Sequence, residues 1–287
     1  HKIHLLYTIG HLPGTRAIQE SQTLQSKIAF FDKESDLLAF QLSPSENAME
    51  IAEEALLSGK CDVFCLDLSG INGQPKDEIV IAALSHRDTK FDILIYKEEI
   101  NNNNIHIKLN DNARVCVIDE RAELLAKSLF PEWNITIIDT EIVDLERLIS
   151  LYDGIILPNE HEAIIGKNLN HFASFQFHPK EFIPSAAQNV TAYLINRADG
   201  ELRKLLSKIH VSEVSQATNI ERTIQTDLSN KGWKSLAVYC VVDHNSHYHV
   251  YVCGLNPENG SFHRTRYSSS TSENIVTNVF EQLSKNV

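Results

Sequence analysis

One stretch constrains the architecture of this chain more than any other: Ala52 to Leu94, AEEALLSGKCDVFCLDLSGINGQPKDEIVIAALSHRDTKFDIL. It reads as a helix end (Glu53 to Leu57), a turn at Ser58-Gly59 and a buried strand from Cys61 to Leu66. A polar loop (Ser69 to Glu78) then leads into a second apolar strand, Ile79 to Leu84. Helix, buried strand, polar loop and buried strand in this order predict an α/β fold in which a strand end delivers side chains into a cleft.

The flanking segments extend that pattern. Lys2 to Ile9 reads as a strand broken by Gly10 and the Pro13-Gly14 turn; Ile28 to Phe31 and Asp36 to Leu42 are further candidate strands. A helix is expected from Ser43-Pro44-Ser45-Glu46 to about Leu57, with Ser45 as its cap and Met49, Ala52 and Leu56 as its apolar stripe. Past the four asparagines at Asn101 to Asn104, strands Arg114 to Ile118, Asn134 to Ile138 and Asp153 to Leu157 alternate with helices Arg121 to Leu129 (capped by Asp119) and Ile142 to Ser150. This is half of a doubly wound sheet. The last third predicts helices Gly200 to Ile209 and Ser212 to about Leu228. Strands Ser235 to Val242, His247 to Leu255 and Ser261 to Tyr267 follow, then a C-terminal helix Glu273 to Leu283. Together these make a small α+β unit.

At 287 residues the chain predicts two or three domains. A formal charge of −12 argues against nucleic acid as a partner, because phosphate neutralisation needs clustered Lys and Arg. No apolar run approaches the ~18 residues of a membrane span, so no membrane association is expected. Five cysteines is an odd number with no metal or disulfide spacing. Cys61 and Cys65 on an apolar strand read as core residues, and the set points to a reducing, cytoplasmic setting.

DVFCLDLSGIN (Asp62 to Asn72) and RDTKFDI (Arg87 to Ile93) resemble, without a gap, two motifs of the porphobilinogen deaminase (hydroxymethylbilane synthase) family, D-I-A-V-H-S-L-K-D-V-P and R-x-D-P-R-D-A. VCVIDERA (Val115 to Ala122), Pro131-Glu132, IIDTEIVDLERL (Ile137 to Leu148) and YDGIILPNEHEAIIG (Tyr152 to Gly166) resemble its second domain. FIPSAAQN (Phe182 to Asn189) is similar to L-P-A-x-G-Q-G-A, with Gln188 kept and both glycines replaced, by Ala187 and Asn189. Arg197-Ala198-Asp199 resembles the R-x-D turn that follows, and Glu221-Arg222 falls where the family has A-E-R. Gly14-Thr15-Arg16 resembles part of the family's first loop, but the rest of that motif is absent. The resemblance implies two periplasmic-binding-protein-like lobes with a cleft and a small third domain. The expected boundaries are 1–97 with 178–199 for lobe 1, 98–177 for lobe 2, and 200–287 for domain 3.

The same resemblance implies a thiol anchoring a dipyrromethane primer, a carboxylate moving protons, and cations holding substrate acids. Each is replaced in this chain. The family's lysine and aspartate fall on Ser69 and Gly70, and its cofactor cysteine falls on Gly232 in NKGWKSL. Ser45 and Glu50 stand at two further lysines, and Asp139 at an arginine. Losing a positioned general acid costs ~10²–10⁴ in rate. The sequence therefore predicts a catalytically inactive family member, acting in binding or regulation and taking a pyrrole- or tetrapyrrole-type small molecule, with no dipyrromethane cofactor. Asp67 is the candidate acid for the alternative, an active synthase with a non-standard site. Arg121, Asp119, Ser69 and Gln188 are candidate ligand contacts. Arg121 and Asp119 are also read as a local pair, and Arg87 and Asp92 as an ion pair. A second alternative is a two-lobed binder of an unrelated small molecule. No metal is expected: His247 and His249, on one face of a strand beside Asp243, read as an exposed polar strand face, with metal ligation as the alternative.

Overall fold

In the computed structural model the residues described are 6–43, 46–97, 109–138, 145–159 and 172–285. The chain divides into two compact units: His1–Asp88 with Ala187–Gln216, and Thr89–Ala186 with Ala217–Val287.

Unit 1 is built on strands β1 (Leu6–His11), β2 (Glu34–Ala39), β3 (Val63–Asp67), β4 (Ile79–Leu84) and β10 (Thr191–Asn196), in the order β2-β1-β3-β10-β4. β1 runs parallel to β2 and β3, while β10 lies antiparallel to both of its neighbours. β3 is apolar from Val63 to Leu66 because both its faces are covered there. Val63 and Cys65 join the core with Leu24 and Ile28 of helix α1 (Thr15–Ala29), and Phe64 and Leu66 join the core with Ala52, Ala55 and Leu56 of helix α2 (Ala48–Leu57). Gly10 permits this closeness in β1, since a Cβ there would lie 2.7 Å from the Phe64 ring. Helix α5 (Gly200–Ser207), capped by Asp199, adds Leu202, Leu205 and Leu206 to the α1-side core.

Two expectations are corrected here. Ile28 to Phe31 is not a strand: it completes α1, whose Ser21, Leu24 and Ile28 recur at helical spacing and are buried. Helix α2 is capped not by Ser45, which lies outside the described residues, but by Asn47, whose side chain accepts from the Met49 N–H at 2.9 Å.

Unit 2 repeats the strand order of unit 1 with different residues. β5 (Asp92–Lys97), β6 (Arg114–Val117), β7 (Asn134–Ile137), β8 (Gly154–Pro158) and β9 (Phe172–Gln176) are arranged β7-β6-β8-β5-β9. β6 is parallel to β7 and β8, and β5 is antiparallel to β8 and β9. Each sheet thus has one reversed strand inserted beside its third parallel one. Helices α3 (Glu120–Leu129) and α4 (Leu145–Leu151) complete this layer. The antiparallel sheet β11 (Lys234–Val242), β12 (Tyr248–Leu255) and β13 (Phe262–Ser269) belongs to the same unit, with helices α6 (Ser212–Asn230) and α7 (Ile275–Lys285). Alternation along β12 divides its side chains. Val250 and Val252 pack with Ile224 and Leu228 of α6 and Val279 and Leu283 of α7, while Tyr251 and Cys253 pack with Leu125 and Ala126 of α3. The architecture is α/β, with one mixed five-stranded sheet in each unit and a small antiparallel sheet in the second.

Candidate functional site

On unit 1 the carboxyl end of β3 delivers Asp67, and a single 3₁₀ turn, Leu68–Gly70, follows it. Ser69 and Gly70 are exposed on that turn. Arg16, in the first turn of α1, links the strand ends: its Nε donates to Asp67 Oδ1 at 3.2 Å and its Nη1 to Asn189 Oδ1 at 2.9 Å. Leu68 N–H donates to the Val190 carbonyl at 2.8 Å, and Thr191 N–H to Ser85 Oγ at 2.9 Å. Glu20, one turn beyond Arg16, has its carboxyl pushed up by burial, against the pull of the Arg16 guanidinium. Gln188 sits between Ala187 and Asn189, both left-handed at φ 61° and 65°. Its carbonyl accepts from Arg87 Nε at 3.0 Å. Arg16 and Asn189 were not among the expected contacts; Gly14-Thr15-Arg16 was the available signal, cut off from the remaining family letters.

On unit 2 Asp119 caps α3 as expected, its Oδ1 accepting from Ala122 N–H at 2.6 Å. Arg121 is 5% exposed. Nη1 donates to Asp92 Oδ2 (3.2 Å) and the Ile183 carbonyl (2.9 Å), and Nη2 to Asp92 Oδ1 (3.0 Å) and Asp119 Oδ2 (3.4 Å). The remaining donor, Nε, is buried with no acceptor among the described residues. Burial lowers the guanidinium pKa, but Asp92 and Asp119 outweigh it and raise the value. Both Nη groups are engaged within the protein, so this cation is built into the framework. The expected pairing with Asp119 is present, but the two-oxygen partner is Asp92.

Gly232 lies in the turn after α6 at φ +85°, and a Cβ there would sit 3.3 Å from Pro257. Cys61, Cys65, Cys116, Cys240 and Cys253 are all buried. Burial pushes the thiols of Cys61, Cys65, Cys116 and Cys253 up to about 12. His247 precedes β12 rather than lying on it. Both ring nitrogens of His249 are engaged, Nδ1 with Ser268 Oγ (2.9 Å) and Nε2 with Asp243 Oδ2 (3.0 Å). Among the described residues no three His, Cys, Asp or Glu side chains form a group that could hold a metal ion. Asp139 lies outside the described residues. Among those residues, too, no helix is long and apolar enough to cross a membrane.

The chain is 22% identical over 194 residues to a probable porphobilinogen deaminase of Methanocaldococcus jannaschii, covering 64% of this chain and 62% of that protein. It is 25% identical over 203 residues to a porphobilinogen deaminase of Staphylococcus carnosus, covering 68% and 62%. It thus spans somewhat under two thirds of these curated relatives, by the 62% covered of each. Among solved structures, an ancestral cationic amino acid solute binding protein superposes with TM-score 0.44 and 13% identity, covering 79% of this chain and 93% of that one. The VFT2 domain of Bordetella pertussis BvgS gives 0.43 and 12%, covering 72% and 87%. The family pattern "Porphobilinogen deaminase, dipyromethane cofactor binding domain" matches residues 42–204, more than half of the sequence, and the chain belongs to the porphobilinogen deaminase family.

Proposed function

We propose that this chain is a non-catalytic porphobilinogen deaminase homologue that binds a pyrrole- or tetrapyrrole-type carboxylate in tetrapyrrole metabolism. The carrying observation is the pair of glycines, Gly70 and Gly232, at the family's acid and cofactor-cysteine positions. Gly70 offers no proton to a pyrrole nitrogen or methylene. Gly232 offers no sulfur, and its φ of +85° is a conformation that L side chains rarely adopt. The five buried cysteines do not fit a thioether-linked primer, which needs an accessible thiolate. Arg121, the arginine retained from the family's substrate-holding set, has its Nη donors engaged by Asp92, Asp119 and Ile183. The reading includes a reducing, cytoplasmic compartment, in keeping with five cysteines that form no disulfide, and excludes nucleic acid and membrane as partners.

The test is incubation with porphobilinogen, with linear tetrapyrrole followed by absorbance after oxidation and covalent adducts by intact mass. The expected result is saturable binding with neither product nor adduct. Turnover at enzyme-like rates that is lost in Asp67→Ala would instead establish the active alternative, since Asp67 is a carboxylate at the end of β3, 51% exposed and held by Arg16. A thermal-shift screen in which only non-pyrrole molecules stabilise the chain would support a binder of some other ligand.

A further inference from the structure

Unit 1 carries a cavity of about 500 Å³ that shares no lining residue with the Arg16–Asp67–Asn189 cluster. Its walls are the end of α1, the residue pair after β4, and the connection from α5 to α6. In a chain of net charge −12 this lining is inverted: Lys27, Lys208, His86 and His210 face it, with Glu213 as the single carboxylate among its lining residues. Among the described residues neither lysine has a carboxylate within ion-pair distance. Lys208 Nζ lies instead 5.1 Å from the centre of the Phe31 ring. His210 Nδ1 accepts the Leu84 N–H at 3.1 Å, which places its proton on Nε2 and makes the ring a donor. Phe30 is 83% exposed and meets Phe31 edge to face, with centroids 5.4 Å apart.

Two ammonium groups and a fixed N–H donor supply what an acid group needs, and the phenylalanines supply a face for a flat ring. The volume falls within the range of small-molecule sites, roughly 300–1,000 Å³. We propose that this cavity is a second ligand site, taking a small aromatic acid whose anionic group lies between Lys27 and Lys208 and whose ring packs on Phe30. The proposal is independent of the family reading, because none of its residues belongs to the positions on which that reading rests.

The test uses the full chain and the aromatic sulfonate 8-anilinonaphthalene-1-sulfonate as a fluorescent probe. Saturable binding at one site is expected, weakened about tenfold or more in the double variant Lys27→Glu, Lys208→Glu, the scale of losing charge-assisted hydrogen bonds. Phe30→Ser should weaken it as well. Lys204→Glu, the same charge change at an exposed position of α5, should leave it unchanged, and benzoate should displace the probe at concentrations where inorganic phosphate does not. Undiminished binding in the double variant, an equal loss in Lys204→Glu, or equal displacement by phosphate and benzoate would each overturn the proposal. Circular dichroism of each variant keeps loss of fold apart from loss of the site.

Discussion

Arg121 holds Asp92 through both carboxylate oxygens, at 3.0 and 3.2 Å, with the two side chains 5% and 1% exposed. A buried pair of this kind is costly to break because the surviving partner is left charged and desolvated. Arg121→Ala is therefore expected to lose about 3–5 kcal/mol, measured by urea denaturation. Replacing both partners, Arg121→Met with Asp92→Leu, should cost far less than the two single changes summed. A single-variant loss below about 1 kcal/mol would show that water reaches the pair.

The residues flanking Gln188 carry a different strain. Ala187 and Asn189 both take positive φ, a region in which glycine is at ease and other residues are not. Alanine in the left-handed region costs about 1–2 kcal/mol. Glycine recovers that at the expense of unfolded-state entropy, roughly 0.4–1 kcal/mol. Ala187→Gly is thus expected to raise stability by roughly 0.5–1 kcal/mol, the difference between those two ranges. Ala187→Val should lower it, because a β-branched residue tolerates positive φ least. Urea midpoints of the two variants, moving in opposite directions, are the check.

Asp243 gives a pH dependence. The His249 ring and then the His247 N–H bind its carboxylate and hold its pKa at about 2, below the ordinary 3.8. A depressed carboxylate pKa means that the unfolded chain takes up the proton first as pH falls. The contribution is therefore complete above about pH 5 and fades as pH falls, most steeply between about 4 and 2. Asp243→Asn should flatten that limb of the stability–pH curve, with little change in its slope above about pH 5. An unchanged acid limb in the variant would mean that the His249 contact does not persist in solution.

Thiol chemistry tests the packing of the cores. Every cysteine is buried, and four have thiols pushed up to about 12, so thiolate is scarce at neutral pH. A disulfide reagent such as dithionitrobenzoate should find no fast-reacting thiol in the native chain and five after unfolding. A rapid native equivalent would identify a strand that opens locally, with Cys61 the first to examine because an exposed turn precedes it.

Much of this fold is legible in local pattern. Ile79 to Leu84 is β4 to the residue, and Asp119 declares itself as the cap of α3, because both signals are short-range. What escaped was long-range. The local pattern does not predict β5, β9 or β10 as strands. β5 and β10 are the reversed strands that complete the two sheets, and their partners lie far away in sequence. At the end of α1, Ile28-Ala29-Phe30-Phe31 is apolar and short, a run whose period is ambiguous until Ser21 and Leu24 are counted with it. At the site, the letters revealed which groups are missing but not what the remaining ones touch. Arg121 looked available because Asp92 lies 29 positions away, and Arg16 looked isolated because Asn189 lies 173 away.

Restoring the missing groups tests the non-catalytic reading most directly. Gly70 has ordinary φ and open space around its would-be Cβ, so Gly70→Asp should fold within about 0.5 kcal/mol of the parent chain. Gly232→Cys meets Pro257 at 3.3 Å from a left-handed backbone and should lose about 1–2 kcal/mol. The double variant is expected to bind porphobilinogen without a covalent mass increase and without turnover, since Arg121 remains locked on Asp92. A pyrrole adduct on the thiol introduced by Gly232→Cys would instead mean that sulfur alone was lacking and that the remaining groups still support the chemistry.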